Sequence, residues 1–199
     1  VVDAEVAIAG LSKKIENYAK LAVTKGAAVK PGQEVVITCP VERADFMRRL
    51  VRCAYEAGAG HVTTIWSDSD LSRLEYHYMD VDYFKTVPLW KRDQLNSLAE
   101  AGATFLFVDG SDPNALKGID PTKPMTRSHA MNTQCDVYRD GMDFGKNAWT
   151  IVGAPVEAWA KEVFPEMGTS DAVYRLWEAL LVTSRADGPD PQAEWERHN

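Results

Sequence analysis

A chain of 199 residues with 45% hydrophobic and 26% charged side chains is an ordinary globular mixture with room for one sizeable core. Its net charge of −7 and its scattered basic residues, as at Lys13-Lys14 and Arg48-Arg49, argue against nucleic acid as a partner. No apolar run approaches the roughly 20 residues that span a bilayer, and Val1-Val2-Asp3-Ala4-Glu5 lacks the features of a secretory signal, so no membrane association is expected.

From Glu5 to Lys25, Leu11, Ile15, Tyr18 and Ala22 recur at helical spacing, and Gly26 offers a stop. Lys30-Pro31-Gly32-Gln33 is a turn signal leading into Glu34–Cys39, a β-branched run that reads as a buried strand. A helix follows Pro40-Val41-Glu42 and runs to about Ala57 with Phe46, Leu50, Cys53 and Ala57 on one face. Gly58-Ala59-Gly60 ends it, and His61–Trp66 is the second strand. A strand, helix and strand so closely spaced form a βαβ unit with a parallel pair. Cys39 and Cys53 fall at buried positions of these elements and read as free thiols. That reading predicts a reducing compartment, the cytoplasm.

The pattern repeats. A helix over Pro88–Ala101 precedes the strand Ala103–Val108, and Asp120-Pro121 supplies an N-cap and first-turn proline for a helix towards Tyr138. Ala148–Val152 is a fourth strand. Helices follow over Pro155–Phe164 and Thr169–Arg185, and Asp187–Pro191 breaks the chain before a short last helix. Alternation of this kind predicts an α/β fold: a mostly parallel sheet of four or more strands flanked by helices in three layers, with residues 1–199 as a single domain.

Cys39-Pro40-Val41-Glu42 and Ala154-Pro155-Val156-Glu157 share a Pro-Val-Glu turn after an apolar strand. Proline pre-sets the first helical φ and glutamate complements the helix dipole. The pair reads as two well-made strand-to-helix turns. The sharper reading is a duplication, or two loops lining one crevice at the strand ends.

Familiar catalytic signatures are missing. The histidines, His61, His77, His129 and His198, make no His-Glu-x-x-His, and neither a Gly-x-Ser-x-Gly elbow nor a phosphate-binding glycine loop occurs. One segment is unusual. Asp68, Asp70, Glu75, His77, Asp80 and Asp82 crowd the exit of the second strand with donor types that suit a metal. The same stretch, Ser67/Asp68 followed by Leu71, Leu74 and Tyr78, reads as a capped amphipathic helix. Asp109–Pro113 is a turn and cap with a possible ligand-loop role. Lys123–His129 is a basic stretch that could face an anion or simply solvent, and the tryptophans read as core or interface anchors.

Taken in order, Val29-Lys30-Pro31-Gly32-Gln33-Glu34-Val35-Val36-Ile37, Cys39-Pro40-Val41-Glu42, Ala54–Ala59, Trp66-Ser67-Asp68 with Leu71 and Arg73, Gly118-Ile119-Asp120-Pro121, Trp159-Ala160, Val163-Phe164-Pro165, Leu176–Ala179 and Asp187–Pro191 are similar to one family. It is the M29 metallo-aminopeptidases, the group of aminopeptidases T, S and PepS, and the likeness covers nearly the whole chain. The resemblance implies the amino-terminal domain of a two-domain, homodimeric, cytoplasmic hydrolase. Such an enzyme releases amino-terminal residues from peptides with two divalent metal ions: zinc, cobalt or manganese. It also implies that the family's metal ligands and catalytic residues lie after position 199, so none is carried over here. This half is then expected to wall the substrate cavity and support dimerisation, with Glu42, Asp68, Arg73 and Asp109 on the strand-exit loops as cavity candidates. The rivals are a free-standing α/β ligand-binding domain and a non-catalytic interaction module.

Overall fold

The computed structural model describes residues 9–198. Four strands form one all-parallel sheet: β1 (Glu34–Pro40), β2 (His61–Ser67), β3 (Thr104–Asp109) and β4 (Trp149–Gly153), in the order β2-β1-β3-β4. Around it lie α1 (Ser12–Leu21), α2 (Ala44–Glu56), α3 (Ser69–Tyr78), α4 (Leu89–Glu100), α5 (Thr122–Gln134), α6 (Asp136–Asp143), α7 (Glu157–Val163), α8 (Thr169–Thr183) and α9 (Pro191–His198). The expected α/β architecture is what the chain adopts. The Glu5–Ile8 stretch of the expected first helix lies outside the described residues.

β1 is central, paired with β2 from Glu34 opposite His61 to Pro40 opposite Ser67, and with β3 from Val35 opposite Thr104. A strand covered on both faces must be apolar on both, and Val35, Val36 and Ile37 are all buried. Successive side chains separate to the two sheet faces. Val35, Ile37, Cys39, Leu106 and Val152 join α1, α2 and α8, whereas Val36 and Phe105 join Ala99 of α4 with Tyr138 and Met142 of α6. On the first face an aromatic cluster forms the centre of the core. Tyr18 stacks on Phe46 at 5.7 Å between ring centroids, and Trp177 meets Phe46 edge-on at 5.5 Å.

Three local expectations need correction. Gly26 does not end the first helix by a left-handed turn. The chain instead loosens through a π-helical turn, Ala22–Gly26, with Ala27 N donating to Ala22 O at 2.7 Å, and the positive φ of +48° falls on Ala28. What Gly26 permits is close packing, because a Cβ there would sit 2.9 Å from Thr150 Oγ1. Secondly, the helix expected from Asp120 to Tyr138 is two helices, broken at Cys135 with φ −105° and ψ 50°. Groups on both sides of the break bond distant partners: the Gln134 side chain accepts from Val87 N at 2.9 Å and donates to Lys85 O at 2.8 Å, and Tyr138 N donates to Asn96 Oδ1 at 3.1 Å. Cys135 itself is buried in a small cluster with Val87, Leu95 and Ala130. Thirdly, α3 forms where expected, but Leu71, Leu74 and Tyr78 point away from the core.

Candidate functional site

The order β2-β1-β3-β4 sets the carboxyl ends of β1 and β3 side by side. From β1 the chain leaves for α2 on the first face; from β3 it leaves for α5 and α6 on the second. Where neighbouring strands send their connections to opposite faces, the loops part and open a crevice beyond the strand ends. A hollow of about 330 Å³ lies there, lined by Pro40 from β1, Ser67, Asp68, Ser72 and Tyr76 around the β2 exit and α3, and Asp109, Gly110, Ser111 and Leu116 after β3.

Local chemistry fixes each wall. Asp68 has extended backbone, φ −145° and ψ 116°, and its Oδ1 accepts from Leu71 N at 2.9 Å, so it caps α3. Ser72 Oγ donates back to Asp68 O at 2.9 Å. Across the hollow Asp109 Oδ1 accepts from the Ser111 hydroxyl at 3.2 Å, and Asp112 Oδ1 from Asn114 N at 2.8 Å, turning the loop sharply. The floor is tight. A Cβ on Gly110 would lie 2.4 Å from Ala154 O and 3.3 Å from both Pro40 Cγ and Val156 Cγ1. The two Pro-Val-Glu turns therefore converge on one glycine. They differ locally: the first opens a 3-10 turn, Val41–Arg43, and the second leads directly into α7.

Of the four cavity candidates, Asp68 and Asp109 line this crevice. Arg73 stands behind its rim, where Nη1 donates to Ala115 O at 2.7 Å and Lys117 O at 2.8 Å and holds the rim loop against α3. Glu42 is solvent-exposed on the turn after β1 and is not part of the lining. Ser72, Tyr76 and Ser111 also line the crevice, although no motif singles them out in the sequence. Their signal was positional: Ser111 follows a strand end, and Ser72 and Tyr76 lie one turn apart on α3. The lining holds carboxylates and hydroxyls, with no histidine among the described residues, a set suited to hydrogen-bonding a polar ligand.

The acidic segment after β2 proves to be a capped helix and turn. Glu75 pairs with Arg127, Asp82 Oδ1 with Lys85 Nζ at 2.6 Å, and Asp80 Oδ1 accepts from Asp82 N at 2.9 Å. Among the described residues no three His, Cys, Asp or Glu side chains gather as a metal site, so they do not fit a pair of divalent metals. The two cations of the basic stretch of α5, Lys123 and Arg127, turn to the end of α3 and its neighbours, Arg127 pairing with Glu75, while His129 is exposed to solvent. Lys123 Nζ donates to Tyr76 O and Met79 O, both at 2.7 Å, at the end of α3. Arg127 lies 4.7 Å from the ring centres of both Tyr76 and Phe84.

The tryptophans divide. Trp177 is fully buried, whereas Trp90 is exposed beside a second hollow of about 290 Å³ with Tyr83, Phe84 and Met131. All three cysteines are free and buried. Burial pushes the Cys39 thiol up to about 12 and the Cys53 thiol up to about 11, the latter also facing the Glu16 carboxylate at 3.7 Å. These groups are poor nucleophiles.

A parallel α/β layer fold with a crevice at its switch point is a scaffold shared by many binding proteins and enzymes. Comparison with known proteins narrows it. Residues 11–199 match the family described as thermophilic metalloprotease (M29), and the chain belongs to that family. It is 34% identical over 187 residues to aminopeptidase 2 of Geobacillus stearothermophilus, covering 94% of this chain and 45% of that protein. With aminopeptidase T of Thermus thermophilus it is 37% identical over 191 residues, covering 94% and 46%. The solved structure of wild-type AmpT from Thermus thermophilus superposes with a TM-score of 0.83 at 33% identity, again over 94% of this chain and 46% of that one. The chain thus spans about half the length of the curated relatives it matches.

Proposed function

We propose that this chain is the amino-terminal α/β portion of a metal-dependent aminopeptidase that removes amino-terminal residues from peptides. The observation that carries the reading is the match itself: relatives named as aminopeptidases align with 94% of the chain, yet the aligned part is 45–46% of their length. In this reading the described residues shape a substrate cavity, and a further domain supplies two divalent metals (zinc, cobalt or manganese) with their ligands. The strand-end crevice, walled by Asp68 and Asp109, is the face turned towards that cavity, with Arg73 steadying its rim. The whole protein is a homodimer of the cytoplasm. Three free, buried cysteines support the reducing compartment, and no helix among the described residues is long and apolar enough to cross a membrane.

The test compares this 199-residue chain with a longer protein that carries it together with a following M29 region, on an aminoacyl-anilide with added Zn²⁺, Co²⁺ or Mn²⁺. The longer protein is expected to turn over substrate and to stop when a chelator is added, while the chain alone shows none. Chelator-sensitive turnover by the chain alone would place the chemistry within it and overturn the division of labour.

A further inference from the structure

The second hollow, of about 290 Å³, lies on another flank of α3 than the crevice, among α3, the 3-10 turn Val81–Lys85, the start of α4 and the middle of α5. Its floor is apolar. Phe84, Val87 and Ala130 are buried there, with Met79 and Met131 half-buried beside them. Two large aromatics complete the lining and remain open to solvent, Tyr83 at 72% and Trp90 at 70%. Exposed rings beside an apolar floor offer a surface on which a further ring can pack. The walls are also preformed. Gln134 of α5 accepts from Val87 N and donates to Lys85 O, and Lys123 Nζ holds the Tyr76 and Met79 carbonyls. A site that needs no ordering on binding keeps more of its contact energy as affinity.

The charges around the hollow select the ligand. One acid and two bases line it: Glu75, Arg127 and Lys91. Arg127 is committed, since it pairs with Glu75 and lies 4.7 Å from the ring centres of Tyr76 and Phe84. Nearby charges are paired as well, Lys85 Nζ with Asp82 at 2.6 Å and Arg92 with Asp93 at 2.8 Å. Only the Lys91 ammonium is left over in the lining, with no ion pair among the described residues. Helix α4 begins at Pro88 without a side-chain cap or an acidic residue in its first turn, so its positive end adds to the same sign. In a chain of net charge −7, this is a local cation set against an apolar floor. Its complement is an apolar body carrying one negative charge. We propose that the hollow binds a small aromatic carboxylate, with the ring among Trp90, Tyr83 and Met131 and the carboxylate on Lys91. A volume at the lower end of the range for ligand pockets, roughly 300–1,000 Å³, limits the occupant to one ring with a short chain. A free aromatic amino acid and the aromatic carboxyl end of a peptide share that chemistry. The inference goes beyond the peptidase reading and does not depend on it.

The probe is 3-phenylpropanoate, titrated into the 199-residue chain and followed in proton–nitrogen correlation spectra, with the Trp90 indole signal assigned by its loss in Trp90→Phe. That signal is expected to shift and saturate with a dissociation constant on the order of 1 mM, the range open to a ligand of about eleven non-hydrogen atoms. The neutral 3-phenylpropanamide should bind about fivefold more weakly, because it cannot pair with Lys91. Lys91→Glu should weaken the acid about tenfold, and Lys91→Arg should retain it. Trp90→Ala should weaken acid and amide alike, about fivefold. Lys91 and Trp90 are both exposed, so an unchanged thermal midpoint certifies that each variant folds. Any of four results overturns the proposal: no saturable shift, shifts confined to the strand-end crevice, an amide that binds as well as the acid, or an acid indifferent to Lys91→Glu. Given the expected pattern, two further probes name the source. Tighter binding of L-phenylalanine assigns the hollow to free amino acids, and tighter binding of N-acetylglycyl-L-phenylalanine assigns it to peptide ends.

Discussion

The two faces of the sheet are held by different physics. On the first face α1, α2 and α8 close over a large apolar core around Tyr18, Phe46 and Trp177. On the second, the buried apolar clusters are small, and Trp149 and Ile151 of β4 are 48% and 58% exposed. A polar pin does much of the holding there. The buried Asn147 side chain donates to Ala99 O at 3.1 Å and Ala103 O at 2.8 Å, joining the end of α4 to the start of β3. Its Oδ1 comes so near α6 that a Cβ on Gly141 would lie 2.1 Å away. A layer with little apolar area to bury relies on directional bonds, which fix geometry well but contribute less free energy.

That contrast breaks if deletions on the two faces cost the same. Trp177→Ala opens a large cavity in the aromatic cluster and is expected to lower stability by about 3–5 kcal/mol in urea unfolding monitored by circular dichroism. The indole nitrogen of Trp177 is buried without a hydrogen-bonding partner among the described residues, so Trp177→Phe should cost markedly less. On the second face Asn147→Ala leaves the Ala99 and Ala103 carbonyls unpaired and is expected to cost about 1–3 kcal/mol. Hydrogen exchange should then rise at the end of α4 and the start of β3 before it rises in α2. Equal protection loss on both faces would refute the division.

A smaller effect sharpens the same contrast through pH. Burial raises the Tyr18 phenol to about 12, the Cys39 thiol to about 12 and the Cys53 thiol to about 11, and all three belong to the first face. The unfolded chain releases these protons from about pH 8.5 to 10, whereas the folded chain retains them. Their contribution is therefore complete below about pH 8.5 and is lost as pH rises through 11 to 12. The urea midpoint should fall steadily above about pH 9, and less so in Cys53→Ala. A midpoint level to pH 10.5 would contradict the buried, protonated state of these groups.

Much of this fold was legible where a local signal and the tertiary environment agree. β1 reads correctly because a strand covered on both faces has to be apolar throughout, and α2 because Phe46, Leu50 and Cys53 follow the helical period onto one large core. Legibility failed where distant partners take part. The break at Cys135 carries no glycine or proline; the Gln134 side chain beside it bonds the Lys85–Val87 backbone some fifty positions earlier. The stripe of α3 was visible as periodicity, but periodicity does not say whether the stripe meets this chain's core or faces outward. The same limit applied to the crevice. Asp68 and Asp109 were recognisable as strand-exit residues, yet only the order β2-β1-β3-β4 brings their loops to opposite walls of one hollow. Glu42 looked equivalent on sequence and lies outside the lining, because the 3-10 turn after Pro40 leaves it in solvent.

Gly110 sets the terms on which this crevice could be redesigned. The turns after β1 and β4 close on its α-carbon so tightly that the smallest side chain would strike the Ala154 carbonyl, so the depth of the hollow at this point is set by the backbone. Ser67, Ser72 and Ser111 stand on the walls and can be exchanged to alter what fits between them. An engineer seeking a different ligand has a free hand around the rim and none at the bottom.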